Sequence, residues 1–177
     1  MHSRSSRSLL LGLAAACALA IALVAPRLGA QDSFPAVGEA PPALITERVA
    51  GGDSVDLSQL RGRVVVVDFW ASWCRPCRAI MPTLDHLHAA HHDEGLTILG
   101  VAREPAARIR RHLATSPVGY TVARDLGGTL ARYGVRAIPT VILIDRRGLV
   151  REIFEGVDDR ALSRIERLVT SLLAEPG

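Results

Sequence analysis

The sequence predicts an α/β domain in which one sheet carries helices on both faces. Three observations predict it. A continuous β-branched run, Val64-Val65-Val66-Val67, ends in Asp68-Phe69-Trp70, as suits a central strand buried on both sides. Residues 75–92 follow at once with helical spacing, placing Ile80, Leu84, Leu87 and His91 on one face. Beyond them, apolar runs alternate with periodic stretches to the C-terminus, which is the layered order of an α/β sheet.

Taken in order, the chain opens with an address. Arg4 and Arg7 precede an uncharged apolar run over residues 9–25, the layout of a secretory signal. Its 17 residues are at the short limit for a spanning helix, so residues 1–30 read as either a cleaved signal peptide or a retained membrane anchor. Cleavage after Ala30 or Ala25 leaves the bulky Leu28 or Leu23 three residues before the cut. Acylation of Cys17 after Ala14-Ala15-Ala16 is a third fate, although eight further apolar residues follow that cysteine. In each case the domain ends outside the cytoplasm, in the periplasm or on the outer face of the membrane. Residues 31–42, with Pro35, Pro41, Pro42 and Gly38, read as an extended linker, and residues 43–177 as the folded domain.

Within the domain, residues 43–49 and 54–57 flank Gly51-Gly52-Asp53 and predict an N-terminal β-hairpin. After the central strand and the 75–92 helix, in which Pro82 predicts a kink, residues 96–102 form a second apolar strand. Residues 105–113 and 120–123 read as an inserted helix and strand, and 126–133 as a short helix. A strand at 141–144, a turn at 145–148 and its antiparallel partner at 149–154 lead to an amphipathic helix over 158–173. Leu162, Ile165, Leu168, Val169 and Leu172 form its apolar stripe.

Composition narrows the function. A net charge of +3, with no aromatic-and-basic stretch, gives no case for nucleic acid. The pairs Arg110-Arg111 and Arg146-Arg147 read as solvated faces. Of three cysteines, Cys17 lies in the apolar run, so the domain holds the single pair Cys74 and Cys77 and no disulfide framework.

That pair carries the chemistry. A Cys-x-x-Cys between a buried strand and a helix places Cys74 at the helix N-terminus, where free N–H groups and the macrodipole favour an anion. Cys74 is thus the attacking thiolate, and Cys77, one turn on, resolves the mixed disulfide. Arg75 adds positive charge, Pro76 stiffens the turn, and Trp73 forms the rim. A purely structural bridge closing so small a loop stabilises little, and zinc lacks a second cysteine pair. His88 and His92, four apart, could share a metal, but a solvated helix end accounts for the cluster His86, His88, His91 and His92. No metal or cofactor beyond the redox disulfide is expected.

Two further sites follow. Asp68 ends an apolar strand six residues before Cys74; burial raises its pKa and suits it to exchange a proton with Cys77. A capping or water-facing role is the alternative. Ile138-Pro139-Thr140 precedes a strand, where a cis proline exposes the Ile138 backbone to an incoming substrate strand.

The run from Val67 through Trp73-Cys74-Arg75-Pro76-Cys77, with Tyr133-Gly134-Val135 leading into Ile138-Pro139-Thr140, closely resembles thioredoxin over roughly residues 43–174. The resemblance implies a thioredoxin-like fold with an N-terminal β-hairpin extension and a central helix–strand insertion. Within that superfamily the export segment, the leading hairpin and the inserted 105–123 stretch look most like the TlpA/ResA-type branch. That branch implies a monomeric protein-disulfide reductase serving cytochrome c maturation, with apocytochrome c among its substrates and a membrane thiol carrier as electron donor. Two positions depart from it: Ile80 stands where many members carry Glu, and Asp68 where many carry Asn. The proton relay is therefore thioredoxin-like, with Glu104 as a candidate replacement for the missing Glu. A disulfide oxidant or isomerase on the same fold, and a metal chaperone using the two cysteines and a histidine, are the competing functions.

Overall fold

The valine run lies at the centre of the molecule. A computed structural model describes residues 34–176. Along them run β1 (Thr46–Arg48), a 3₁₀ turn (Leu57–Leu60), β2 (Val64–Trp70), α1 (Arg75–His91) and β3 (Leu96–Ala102). Next come α2 (Ala106–Thr115), β4 (Thr121–Asp125), α3 (Thr129–Arg132), β5 (Thr140–Ile144), β6 (Val150–Glu155) and α4 (Asp159–Ala174). The strands form one sheet in the order β1-β4-β3-β2-β5-β6. β2 pairs parallel with β3 and antiparallel with β5, and all seven of its residues are buried.

Alternation along β2 divides the core. Val64, Val66 and Trp70 join Cys77, Ile80 and Leu84 of α1 and Ile165, Val169 and Leu172 of α4. Val65, Val67 and Phe69 face the other way, onto Leu44, Val55 and Tyr133. Each fully buried aliphatic side chain contributes about 1.5–3 kcal/mol relative to exposure, so this two-sided strand anchors the fold. The inserted helix and strand are α2 and β4, and β4 fills the place between β3 and β1.

The N-terminal hairpin does not form as a pair of strands. The turn is present, with Arg48 N–H donating to Asp53 O at 2.8 Å and Gly52 N–H to Arg48 O at 3.3 Å. Its first arm, β1, pairs instead with β4, Thr46 opposite Asp125. In the second arm Val55 is buried in the core and Leu57 packs against it, while the Asp56 carboxylate accepts from Ser58 N–H at 2.8 Å and starts the 3₁₀ turn. The edge of β4 pairs with all three residues of β1, while the 54–57 arm leads directly into the 3₁₀ turn.

Other departures have local causes. The 126–133 helix shrinks to α3 because Asp125 reaches over it, accepting from Gly127 N–H at 3.0 Å and Thr129 N–H at 3.1 Å. Within the 31–42 segment, Gly38 N–H donates to Val150 O at 2.7 Å and Pro42 O accepts from the Tyr133 hydroxyl at 2.6 Å, so its end is fastened to the domain. Arg146 is not a solvated charge: its guanidinium donates to Gly62 O at 3.0 Å and Leu173 O at 2.9 Å. The export segment 1–30, with Cys17 and the predicted cleavage positions, lies outside the described residues. Among the described residues, no helix is long and apolar enough to cross a membrane.

Candidate active site

The site is assembled where β2 ends and α1 begins. After Trp70 the chain turns, Cys74 N–H donating to Ala71 O at 3.0 Å. Cys74 is the N-cap of α1, with extended backbone, and its Sγ accepts from Cys77 N–H at 3.2 Å. A cysteine in the place usually taken by Ser or Asp turns one of the helix's orphan donors onto sulfur. Pro76 sits in the first helical turn, where its missing N–H costs nothing. Cys74 and Cys77 are joined by a disulfide. Cys74 is 5% exposed and Cys77 fully buried, so the outer sulfur is the one a partner reaches. Trp73 projects beside it at 66% exposure, and Arg75 and Pro76 are exposed as well.

Asp68 lies beneath this turn. It occupies the face of β2 shared with Val64, Val66 and Trp70, the face that packs in one cluster with Cys77. It is fully buried, and neither carboxylate oxygen has a hydrogen-bond partner among the described residues. Burial pushes its pKa up to about 7. The water-facing alternative for Asp68 is thereby removed, and so is the capping one.

The proline loop comes in along the other edge of β2. The Ile138–Pro139 peptide is cis. Thr140 pairs with Phe69, so Pro139 falls one residue beyond that pairing, alongside the end of β2. The loop is pinned by the Thr140 hydroxyl donating to Ala137 O at 2.8 Å and by Gly156 N–H donating to Pro139 O at 2.9 Å. Ile138 is partly buried and packs against both core clusters.

Glu104 has a position that spacing alone did not reveal. It is 7% exposed and accepts from Ser72 N–H at 2.6 Å and the Ser72 hydroxyl at 2.9 Å, with Arg108 at 3.7 Å. Its carboxylate thus holds Ser72, two residues before Cys74, by backbone and side chain together. The signal lies in the parallel register: Trp70 pairs with Ala102, and extending it two residues sets Ser72 against Glu104. His88 and His92 have rings 4.9 Å apart, edge to face. No group of three His, Cys, Asp or Glu side chains that could hold a metal ion is gathered among the described residues.

Comparison with known proteins points the same way. Residues 37–153 match the model of the AhpC/TSA family. The chain is 31% identical over 107 residues to thiol-disulfide oxidoreductase ResA of Halalkalibacterium halodurans, covering 59% of this chain and 61% of that protein. It is 31% identical over 120 residues to ResA of Bacillus thuringiensis subsp. konkukian, covering 67% and 68%. It therefore spans close to two thirds of these relatives. Among solved structures it is similar to a candidate thiol:disulfide interchange protein DsbE of Chlorobium tepidum. The TM-score is 0.75 and the identity 33%, over 80% of this chain and 100% of that one. It is also similar to the thioredoxin domain of a Bacteroides vulgatus thiol-disulfide oxidoreductase, with a TM-score of 0.67 and 26% identity, over 76% and 99%.

Proposed function

The chain belongs to the AhpC/TSA family, and from that premise we propose that it is an extracytoplasmic protein-disulfide reductase working through Cys74 and Cys77. The observation that carries the reading is the cysteine pair at the head of α1: Cys74 slightly exposed, Cys77 fully buried, and on the same face the Asp68 carboxyl, which burial pushes up to about 7.

In the reduced protein the helix N-terminus favours the Cys74 thiolate, which attacks one sulfur of a target disulfide and expels the other. The expelled sulfur takes a proton from solvent. Cys77 then gives its proton to the Asp68 carboxylate and attacks Cys74 Sγ, releasing the second target sulfur. Two electrons pass to the target, and the protein is left with the Cys74–Cys77 disulfide. Ile138 and Pro139 hold the target strand beside the sulfurs, Thr140 steadies their loop, and Trp73, Arg75 and Pro76 form the rim. No cofactor is needed beyond the disulfide itself. A membrane thiol carrier restores the dithiol. The basic residues and apolar run of segment 1–30 support an export or anchoring role, and apocytochrome c is one substrate that the resemblance to the TlpA/ResA-type branch implies.

The deciding experiment is the midpoint potential of the pair in dithiothreitol and glutathione buffers, with Cys17 replaced. A value near roughly −270 mV supports a reductase, whereas one near about −120 mV makes the protein a disulfide donor.

A further inference from the structure

Behind the sulfurs, polar atoms without partners gather around one glycine. Asp68 pairs with Gly100 across the β2–β3 ladder, so both present the same face. A Cβ on Gly100 would lie 3.0 Å from Trp70 Nε1 and 3.2 Å from Tyr120 Cε2. The glycine thus leaves its space to an indole N–H and a phenol ring, next to the carboxyl. Tyr120 is 4% exposed and Trp70 1%. The Tyr120 hydroxyl, Trp70 Nε1 and both Asp68 oxygens all lack hydrogen-bond partners among the described residues. Leaving so many buried polar groups unmatched is costly, and donors lie here beside an acceptor-only anion.

The surrounding elements supply apolar side chains and two imidazoles, whose His88 Nδ1 and His112 Nε2 are also buried without partners among the described residues. α4 brings Ile165, Val169 and Leu172, and β5 brings Val141 opposite Asp68. From α1 come Cys77, Asp85 and His88; the Asp85 carboxylate is occupied by Gly119 N–H at 2.6 Å, and the His88 ring lies 6.3 Å from that of Tyr120. From α2, the His112 ring lies 5.5 Å from Trp70. Burial raises the pKa of the Tyr120 phenol, and the charges of Asp68 and Asp85 raise it further. It therefore stays a neutral donor throughout the range in which Asp68 ionises.

We propose that Tyr120 is a positioning residue for Asp68: its hydroxyl, with the Trp70 indole N–H, donates to the charged carboxylate across one bridging water, holding that base ready for the Cys77 proton. The proton-transfer part rests on the reductase reading above; the Tyr120–Asp68 link does not.

The test is carboxyl-carbon NMR titration of the oxidised full-length protein, with Asp68→Asn identifying the signal. Tyr120→Phe keeps the ring and removes the donor, and is expected to raise the Asp68 midpoint by about one pH unit. The pH profile of mixed-disulfide resolution in the reduced protein should move up with it. An unmoved or lowered midpoint overturns the proposal, and a change in melting temperature alone does not support it. Should Tyr120→Phe not fold, 3-fluorotyrosine in a Tyr133→Phe background labels Tyr120 alone, because the chain has two tyrosines. The stronger donor should lower the Asp68 midpoint, and no movement again overturns the link. A shifted titration in a protein without disulfide turnover would sink the reductase reading and leave the Tyr120–Asp68 link standing.

Discussion

Asp68 ties folding to pH. Its carboxyl titrates at about 7 in the folded protein against 3.8 when exposed, so between those values the folded chain binds more protons than the unfolded one. Stability therefore falls as pH rises from about 4 to about 7 and is level above that range. Asp68→Asn removes the slope: urea unfolding of the oxidised protein should show little difference near pH 4 and a gain of roughly 3–4 kcal/mol near pH 8. Glu104 contributes through hydrogen bonding, its carboxylate accepting from both the backbone N–H and the hydroxyl of Ser72. Glu104→Ala leaves those donors unmatched, and a loss of about 2–3 kcal/mol is expected in the same measurement. At Cys77, substitution by Ser removes the resolving sulfur. Cys77→Ser should accumulate mixed disulfides at Cys74 visible on non-reducing gels, and their absence would exclude the two-step exchange. Cys74→Ser should abolish turnover.

At the scale of elements, caps decide where helices begin. Cys74 caps α1 through sulfur, and Asp158 caps α4, accepting from Ala161 N–H at 2.8 Å. Asp158→Ala should lower stability by about 1 kcal/mol in urea unfolding without changing the midpoint potential of the cysteine pair. The reach of α1 and α4 was legible because their apolar residues recur with helical period and polar ones separate them. Strands β2 and β3 were legible because unbroken apolar runs of that length suit strands buried on both faces. The hairpin was not. A turn motif reports that the chain reverses, not which edge its first arm then joins. That edge belongs to β4, some 75 residues on, with Thr46 facing Asp125. The shortening of α3 was equally hidden, since Asp125 acts through side-chain bonds to backbone rather than through any period.

For the molecule as a whole, α1, α2 and α4 share one core with the site. Ile165 of α4 is fully buried in the cluster that includes Cys77, whereas Leu162 is only partly buried against it. Ile165→Ala should cost about 2–5 kcal/mol by thermal or urea unfolding, and Leu162→Ala distinctly less. Amino-acid sequence by itself determined the central strand, the helix that follows it, the cysteine pair at their junction and the proline that precedes β5. These are local signals: a run, a period, a spacing. Tertiary structure alone decided that the buried Asp68 carboxyl has no hydrogen-bond partner among the described residues, that Gly100 makes room for Trp70 and Tyr120 beside it, and that Glu104 holds Ser72. Those facts depend on which strands lie side by side and in what register, and pairing between segments distant in sequence is set by the packing of the whole sheet rather than by any one segment's residues.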